Sequence, residues 1–187
     1  MIWELLFIFL LIKPIPETIE VRITGQGACT DVMTYHTETI DFKDYVKGVL
    51  PAEWIRTWPE ESLKAGAFAV RQFALVKNQS RGWLWDCNYD MVYDPSRRTP
   101  ETDQAVNAIW DYVLVSDDGE LQEVYFDDYP NACLSRGQTE NCMSQWETKK
   151  DAELGMTWKE IILKYYDGEL IWIPGVKRYY HFYWLER

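Results

Sequence analysis

Histidine is nearly absent from the sequence: there are two, His36 and His181, far apart in the chain. Cysteine is sparse as well, with Cys29, Cys87, Cys133 and Cys142 and no C-x-x-C pair. This argues against a ready-made zinc site, which draws on closely spaced Cys and His ligands. An even number of cysteines reads instead as one or two disulfides if the chain is exported; free buried thiols and metal ligation are the other readings. Basic runs are also missing. Lys and Arg number 19 against 30 Asp and Glu, the net charge is -11, and no basic block is longer than Arg97-Arg98. Nothing here offers an electrostatic footprint for a phosphate backbone, so nucleic acid is not an expected partner. An anionic polysaccharide would be mildly repelled, and would have to be held by local groups and stacking. No apolar stretch reaches the roughly 20 residues of a membrane span, so no transmembrane helix is expected. The apolar run MIWELLFIFLLI ends at Lys13-Pro14. Its length suits a secretory h-region of about 7–15 residues, although Glu4 stands where a basic residue is usual and no A-x-A site follows. Residues 1–16 therefore read as a signal-like segment of a protein exported to the cell wall or extracellular space, or alternatively as a buried N-terminal strand. Internal repeats and low-complexity tracts are lacking too, and residues 17–187 read as one domain.

Aromatic rings are abundant, at 16% of the chain with 10 Trp and 12 Tyr. Such rings fill cores and also form platforms on which sugar rings lie. The pattern along the chain predicts an α+β fold, a single compact domain with several short helices and mostly antiparallel strands. IEVRIT at 19–24 alternates as a strand, and a second strand or hairpin falls at 32–40. From Asp41, a candidate N-cap, Phe42, Tyr45, Val46, Val49 and Leu50 mark one face of a helix. Another helix begins near Pro59, with Leu63, Ala67, Val70 and Ala74 inward and Ala65, Gly66 and Ala69 allowing close packing. Residues 82–98 read as loop with short strand pieces, and Thr99-Pro100-Glu101 opens a further helix. YVLVS and LQEVYF flank Asp117-Asp118-Gly119 and predict a hairpin. Residues 127–142 read as loop, and a helix runs from about Ser144 to Gly155. Thr157 and Glu160 form a capping box for the next helix, and ELIWI and RYYHFYWLER read as strands.

The chemistry concentrates at Glu53, set between Pro51 and the indoles of Trp54 and Trp58. Pro51 disfavours helix at Leu50, so a short second helix starting at Pro51 would place Glu53 in its first turn. Covered by the two indoles, the carboxyl would be desolvated. Burial lifts a carboxyl pKa by up to about 3–5 units, against about 0.3–1 kcal/mol of opposing stabilisation from a helix N-terminus. A carboxylic acid kept protonated near neutral pH is what protonation of a glycosidic oxygen requires. A first-turn carboxylate that is simply solvated is the plainer reading. Arg71 lies among apolar neighbours, either as a surface arginine with a buried stem or as a buried anchor for a carboxylate or carbonyl.

Three blocks, in order, resemble the stage II sporulation protein D family over roughly residues 41–171. YVKGVLPAEWIRTWPEESLKAGAFAVRQFAL is similar to its Y-x-x-G-V-[LV]-x-x-E-[MW], W/F-P and L-K-A-x-A-x-A-x-R pattern. DCNYDMVYDPSRRTPETDQAV resembles its D-x-x-x-x-Q-V-Y and T-x-x-A-V, and MSQWETKKDAELGMTWKEIILKYYDGELI its S-Q-[YW]-G and [ST]-[YW]-x-E-I-L-x-x-Y-Y-x-G. The resemblance implies a bacterial protein acting on the glycan strands of peptidoglycan. It would be either a lytic transglycosylase with a single Glu as general acid and base, or a non-catalytic wall-binding protein that stimulates a cell-wall amidase. It implies Glu53 as the catalytic acid, and Trp54, Trp58, Arg71, Tyr93, Ser144 and Gln145 as candidates for substrate binding. The sequence departs from the pattern where Gln138 to Cys142 replace G-H-G-x-G, where Glu147 stands for a glycine, and where Met91 precedes V-Y. Zinc is known in some members, but its Cys and His ligands cannot be assembled from the residues present here, so no metal site and no cofactor are expected.

Overall fold

The computed structural model describes residues 15–25, 27–30, 32–129 and 141–173. The signal-like segment up to residue 14, Cys133, His181, residues 137–140 and the terminal RYYHFYWLER lie outside them.

The Asp41 signal holds. Its carboxylate accepts from the Asp44 amide at 3.0 Å and starts helix α1, Phe42–Glu53. The apolar face read from the sequence is buried in full: Phe42, Tyr45, Val46, Val49 and Leu50. Pro51 does not end the helix. It sits inside α1, which continues to Glu53, with the Trp54 amide donating to the Leu50 carbonyl at 2.8 Å. The expected second helix is therefore absent, and Glu53 occupies the C-terminal residue of α1 rather than a first turn. Proline removes one backbone donor from a helix; here burial of Val49, Leu50, Pro51 and Trp54 keeps the turn helical.

Helix α2, Glu60–Arg81, follows Pro59 and ends at Gly82, which takes the left-handed conformation at φ 86°. It is the central element and packs against α1 and against α3 (Pro100–Ile109), α4 (Gln145–Glu153) and α5 (Trp158–Tyr165). Its small residues allow close approach, as predicted. A Cβ on Gly66 would lie 2.5 Å from Cδ2 of Trp54. Helices α3 and α5 start with capping boxes, Thr99 with Thr102 and Thr157 with Glu160.

The described strands form three small sheets. β1 (Thr18–Ile23) pairs antiparallel with β2 (His36–Asp41) and parallel with β3 (Trp83–Trp85). β4 (Tyr112–Val115) pairs antiparallel with β7 (Glu169–Trp172), and β5 (Tyr125–Asp127) parallel with β6 (Cys142–Ser144). The α+β class is as expected, and the four pairings divide equally between antiparallel and parallel. The hairpin expected around Asp117-Asp118-Gly119 forms its turn, with Gly119 at φ 83°, but only a single bridge, Val115 to Leu121. Two backbone hydrogen bonds hold the segments together, from the Ser116 amide to the Glu120 carbonyl and from the Gln122 amide to the Leu114 carbonyl, both at 2.9 Å. Where the segments part, the Gln72 amide nitrogen donates to the carbonyls of Leu114 (2.8 Å) and Gln122 (2.9 Å). Beyond this point LQEVYF leaves the hairpin, and its end becomes β5 beside β6.

Candidate active site

Glu53 is half-buried at the end of α1 and lines a cleft of about 340 Å³ with Pro51, Ala52, Trp54, Ile55, Arg56 and Arg97. Its Oε1 accepts from the Val92 amide at 2.6 Å. The Gln145 side chain also hydrogen-bonds the carboxylate. Burial raises the pKa of Glu53 from the ordinary 4.5 to about 7; the Val92 hydrogen bond opposes the shift, the charges of Asp128 and Asp127 add to it, and the Gln145 hydrogen bond opposes it. The C-terminal end of α1 acts in the same sense, because the negative end of a helix dipole disfavours an anion there.

The Val92 amide is delivered by a tightly fastened loop. Cys29 and Cys87 form a disulfide across 58 residues, with their Cα atoms 5.4 Å apart. Asp86, buried, accepts from the Thr24 amide and hydroxyl and from the Gly25 amide at 2.7–3.0 Å. Asp90 accepts from the Trp85 amide at 2.7 Å and pairs with Arg81. The loop also seats directly on α1. The Asp94 amide donates to the Gly48 carbonyl at 3.1 Å, and a Cβ on Gly48 would collide with the Tyr93 ring. Glycine at position 48 thus lets the loop approach the helix that bears Glu53.

The other side is built by β5, β6 and the start of α4. Asp127 stands opposite Ser144 in the parallel register. Ser144 caps α4, accepting from the Glu147 amide and donating to the Asp128 carbonyl, both at 3.3 Å. Asp128 and Gln145 thereby come to the same carboxylate from two segments.

The structure distributes the predicted residues unevenly. Gln145 reaches Glu53, and Ser144 is the cap that positions it. Tyr93 stacks on Tyr45 at 5.3 Å between centroids, behind the Val92 contact. Trp54 is 2% exposed; its ring packs edge-on against Phe126, and its Nε1 donates to Thr148 at 3.4 Å, so it supports the site from the core. Arg71 is fully buried, donates to the Tyr112 carbonyl at 2.5 Å and faces the Trp110 ring, so it anchors a backbone carbonyl under β4. Trp58 is 8% exposed and lies against Trp146 (4.9 Å), which in turn stacks on Tyr129 (6.4 Å, 12° between planes). Trp146 and Tyr129 are 37% and 59% exposed, and form the outer part of an aromatic cluster. Sequence reasoning missed Asp127, Asp128, Tyr129, Trp146 and the Val92 amide. Trp146 stands in the S-Q-W triplet, where its ring type was a signal; the others carry none of their own.

Among the described residues Cys29 and Cys87 are bonded to each other and Cys142 is also disulfide-bonded, which leaves no thiolate to ligate a metal. Nor is any group of three or more His, Cys, Asp or Glu among them arranged to hold a metal ion. The described residues therefore do not fit a zinc centre. The disulfide itself points to an oxidising, extracytoplasmic setting. No helix among the described residues is long and apolar enough to cross a membrane.

Residues 31–115 match the family model described as Stage II sporulation protein, SpoIID, a family associated with peptidoglycan remodelling. The match contains α1 with Glu53, α2, the Val92 loop and α3, while β6 and α4 lie beyond it. An uncharacterized protein of Brachyspira hyodysenteriae is 47% identical over 45 residues, which make up 22% of this chain and 12% of that protein. The match therefore spans only a small part of that relative's length.

Proposed function

We propose that this protein is an exported lytic transglycosylase that cuts peptidoglycan glycan strands, with Glu53 as general acid and then base. The observation that carries the reading is a carboxyl group with a pKa of about 7 lining a cleft inside the region that matches SpoIID. At neutral pH about half of such groups hold a proton, which suits both donation and return. The protonated Glu53 gives its proton to the glycosidic oxygen as the bond to the anomeric carbon breaks. The C6 hydroxyl of the same muramoyl residue then bonds to that carbon, closing a 1,6-anhydro ring, and its proton returns to Glu53. No water is consumed, so no second carboxylate has to activate one. Asp127 and Asp128 hold negative charge near Glu53, where a cationic sugar develops, and the Val92 amide and Gln145 stabilise Glu53 while it is ionised. Trp146 and Tyr129 offer ring faces for a neighbouring sugar.

Purified glycan strands incubated with the protein should yield 1,6-anhydromuramoyl ends, and Glu53→Gln should yield none. Because the reactive form is protonated, kcat/KM should fall tenfold per pH unit above about 7, and Asp128→Asn should move that limb to lower pH. Equal product from Glu53→Gln would sink the proposal. Absence of product from the wild type, with glycan binding or amidase stimulation retained by Glu53→Gln, would instead favour a wall-binding, amidase-enhancing role.

A further inference from the structure

We infer that Arg56 and Arg97 form a carboxylate-reading pair at the mouth of the Glu53 cleft, selecting glycan that carries a free carboxylate close to the bond to be cut. This rests on reading the cleft as a glycan site. Both arginines are exposed and line the same cleft as Glu53. They arrive from different directions: Arg56 lies three residues beyond Glu53, and Arg97 closes a short 3-10 helix, Pro95–Arg97, after the loop that delivers Val92. Nη1 of Arg56 donates to the Arg97 carbonyl at 3.4 Å, which joins the two segments at the rim.

The charge around them is unusual for this chain. With a net charge of -11, acidic partners are plentiful. Yet among the described residues Arg56 makes no ion pair, its hydrogen bond going to a carbonyl. Arg97 engages Asp94 through Nε at 2.8 Å, with its side chain 53% exposed, and no other carboxylate among the described residues pairs with its terminal nitrogens. Guanidinium groups present a planar fork of donors matched to a carboxylate, and an ammonium does not. Two such groups over a cleft in an otherwise acidic protein give an anion one favourable place to settle. The fully buried Arg71 cannot serve there. In a peptidoglycan strand the N-acetylglucosamine residues are neutral. A carboxylate is supplied either by the lactyl group of a muramic residue that carries no peptide, or by the stem peptide where one is attached.

The test is binding, kept separate from turnover. Glu53→Gln protein is titrated calorimetrically with three tetrasaccharides: a neutral chito-oligosaccharide, an N-acetylglucosamine–muramic acid repeat with free lactyl carboxylates, and the same repeat bearing stem tripeptides. At least one carboxylate-bearing ligand should bind about 5- to 20-fold more tightly than the neutral one, and the preference should shrink in about 0.5 M salt. Which of the two binds more tightly identifies the source of the carboxylate. Adding Arg56→Ala and Arg97→Ala should bring the preferred ligand down to the neutral level, with Arg56→Lys alone restoring only part. Both side chains are exposed, so urea midpoints should not move. Equal binding of all three ligands, no binding at all, or a preference that survives the double substitution overturns the inference. A preference that depends on the arginines, in a wild type that makes no anhydro product, would overturn the cleavage reading and leave the pair standing.

Discussion

Replacing Glu53 with glutamine should stabilise the protein at pH 8 and do so by only about a quarter as much at pH 5. Glutamine keeps the size of the side chain and an oxygen for the Val92 amide, and removes only the ability to ionise. In the unfolded chain Glu53 loses its proton near the ordinary 4.5, whereas in the fold it does so near 7. Between these values the folded protein holds a proton that the unfolded chain has released, so stability falls as pH rises through the window, and above pH 7 the whole loss is present. At 1.36 kcal/mol per pH unit the interval amounts to about 3 kcal/mol, an upper figure for a half-buried group. For a chain of this size that corresponds to a rise of about 6–12 °C in Tm for Glu53→Gln at pH 8. Urea unfolding of both proteins at pH 5 and pH 8 measures the difference, and titrations of all other groups cancel in it. The informative quantity is the change in the gap between the two pH values. A gap of the same size at both, or a less stable variant at pH 8, would refute the claim that burial holds this carboxyl protonated.

Two further perturbations probe the frame around the site. Gly66→Ala drives a methyl against the buried indole of Trp54, a rigid group with no free direction, and should cost about 1–3 kcal/mol in urea unfolding together with a changed tryptophan emission; an unchanged midpoint would show that the contact is not close. Removing the disulfide with Cys29→Ser and Cys87→Ser opens a closed loop of 58 residues and should cost about 4 kcal/mol on the chain-entropy account. Because that bridge fastens the loop carrying Val92, hydrogen exchange of the Val92 amide should rise in the same variant.

What could be read from the sequence was set by local interactions. The Asp41 cap, the Thr157–Glu160 box, the small-residue face of α2 and the stop at Gly155 each depend on residues within a few positions of one another, and each appears where expected. The end of LQEVYF pairs with Cys142–Ser144, well downstream in the chain, so the hairpin stops after Gln122, and no residue within the two segments signals that partner. The site divides along the same line. Glu53 and Gln145 were marked by residue type and motif. The Val92 contact uses a backbone amide, which no side chain announces. Asp127 and Asp128 looked like loop acids until β5 paired with β6 and brought them to the start of α4.

The failed reading at Pro51 bears most directly on chemistry. Had a second helix begun there, Glu53 would have stood among unpaired amides at a positive helix end, an arrangement that holds a carboxylate ionised. Because α1 runs through Pro51, the carboxyl sits at the negative end instead, half-buried and facing the charges of Asp127 and Asp128. Three influences therefore push its proton affinity up. Two hydrogen bonds, from Val92 and Gln145, oppose them. A site built to bind a cation or to hold a permanent anion would not need that opposition, since either task is served by an ordinary pKa. Opposed influences that leave the group near pH 7 suit one that must release a proton and take it back within a single turnover. The balance therefore supports the acid-then-base role, and it predicts that Gln145→Ala, by removing one of the two opposing bonds, should raise the Glu53 pKa further and extend the protonated, reactive form to higher pH.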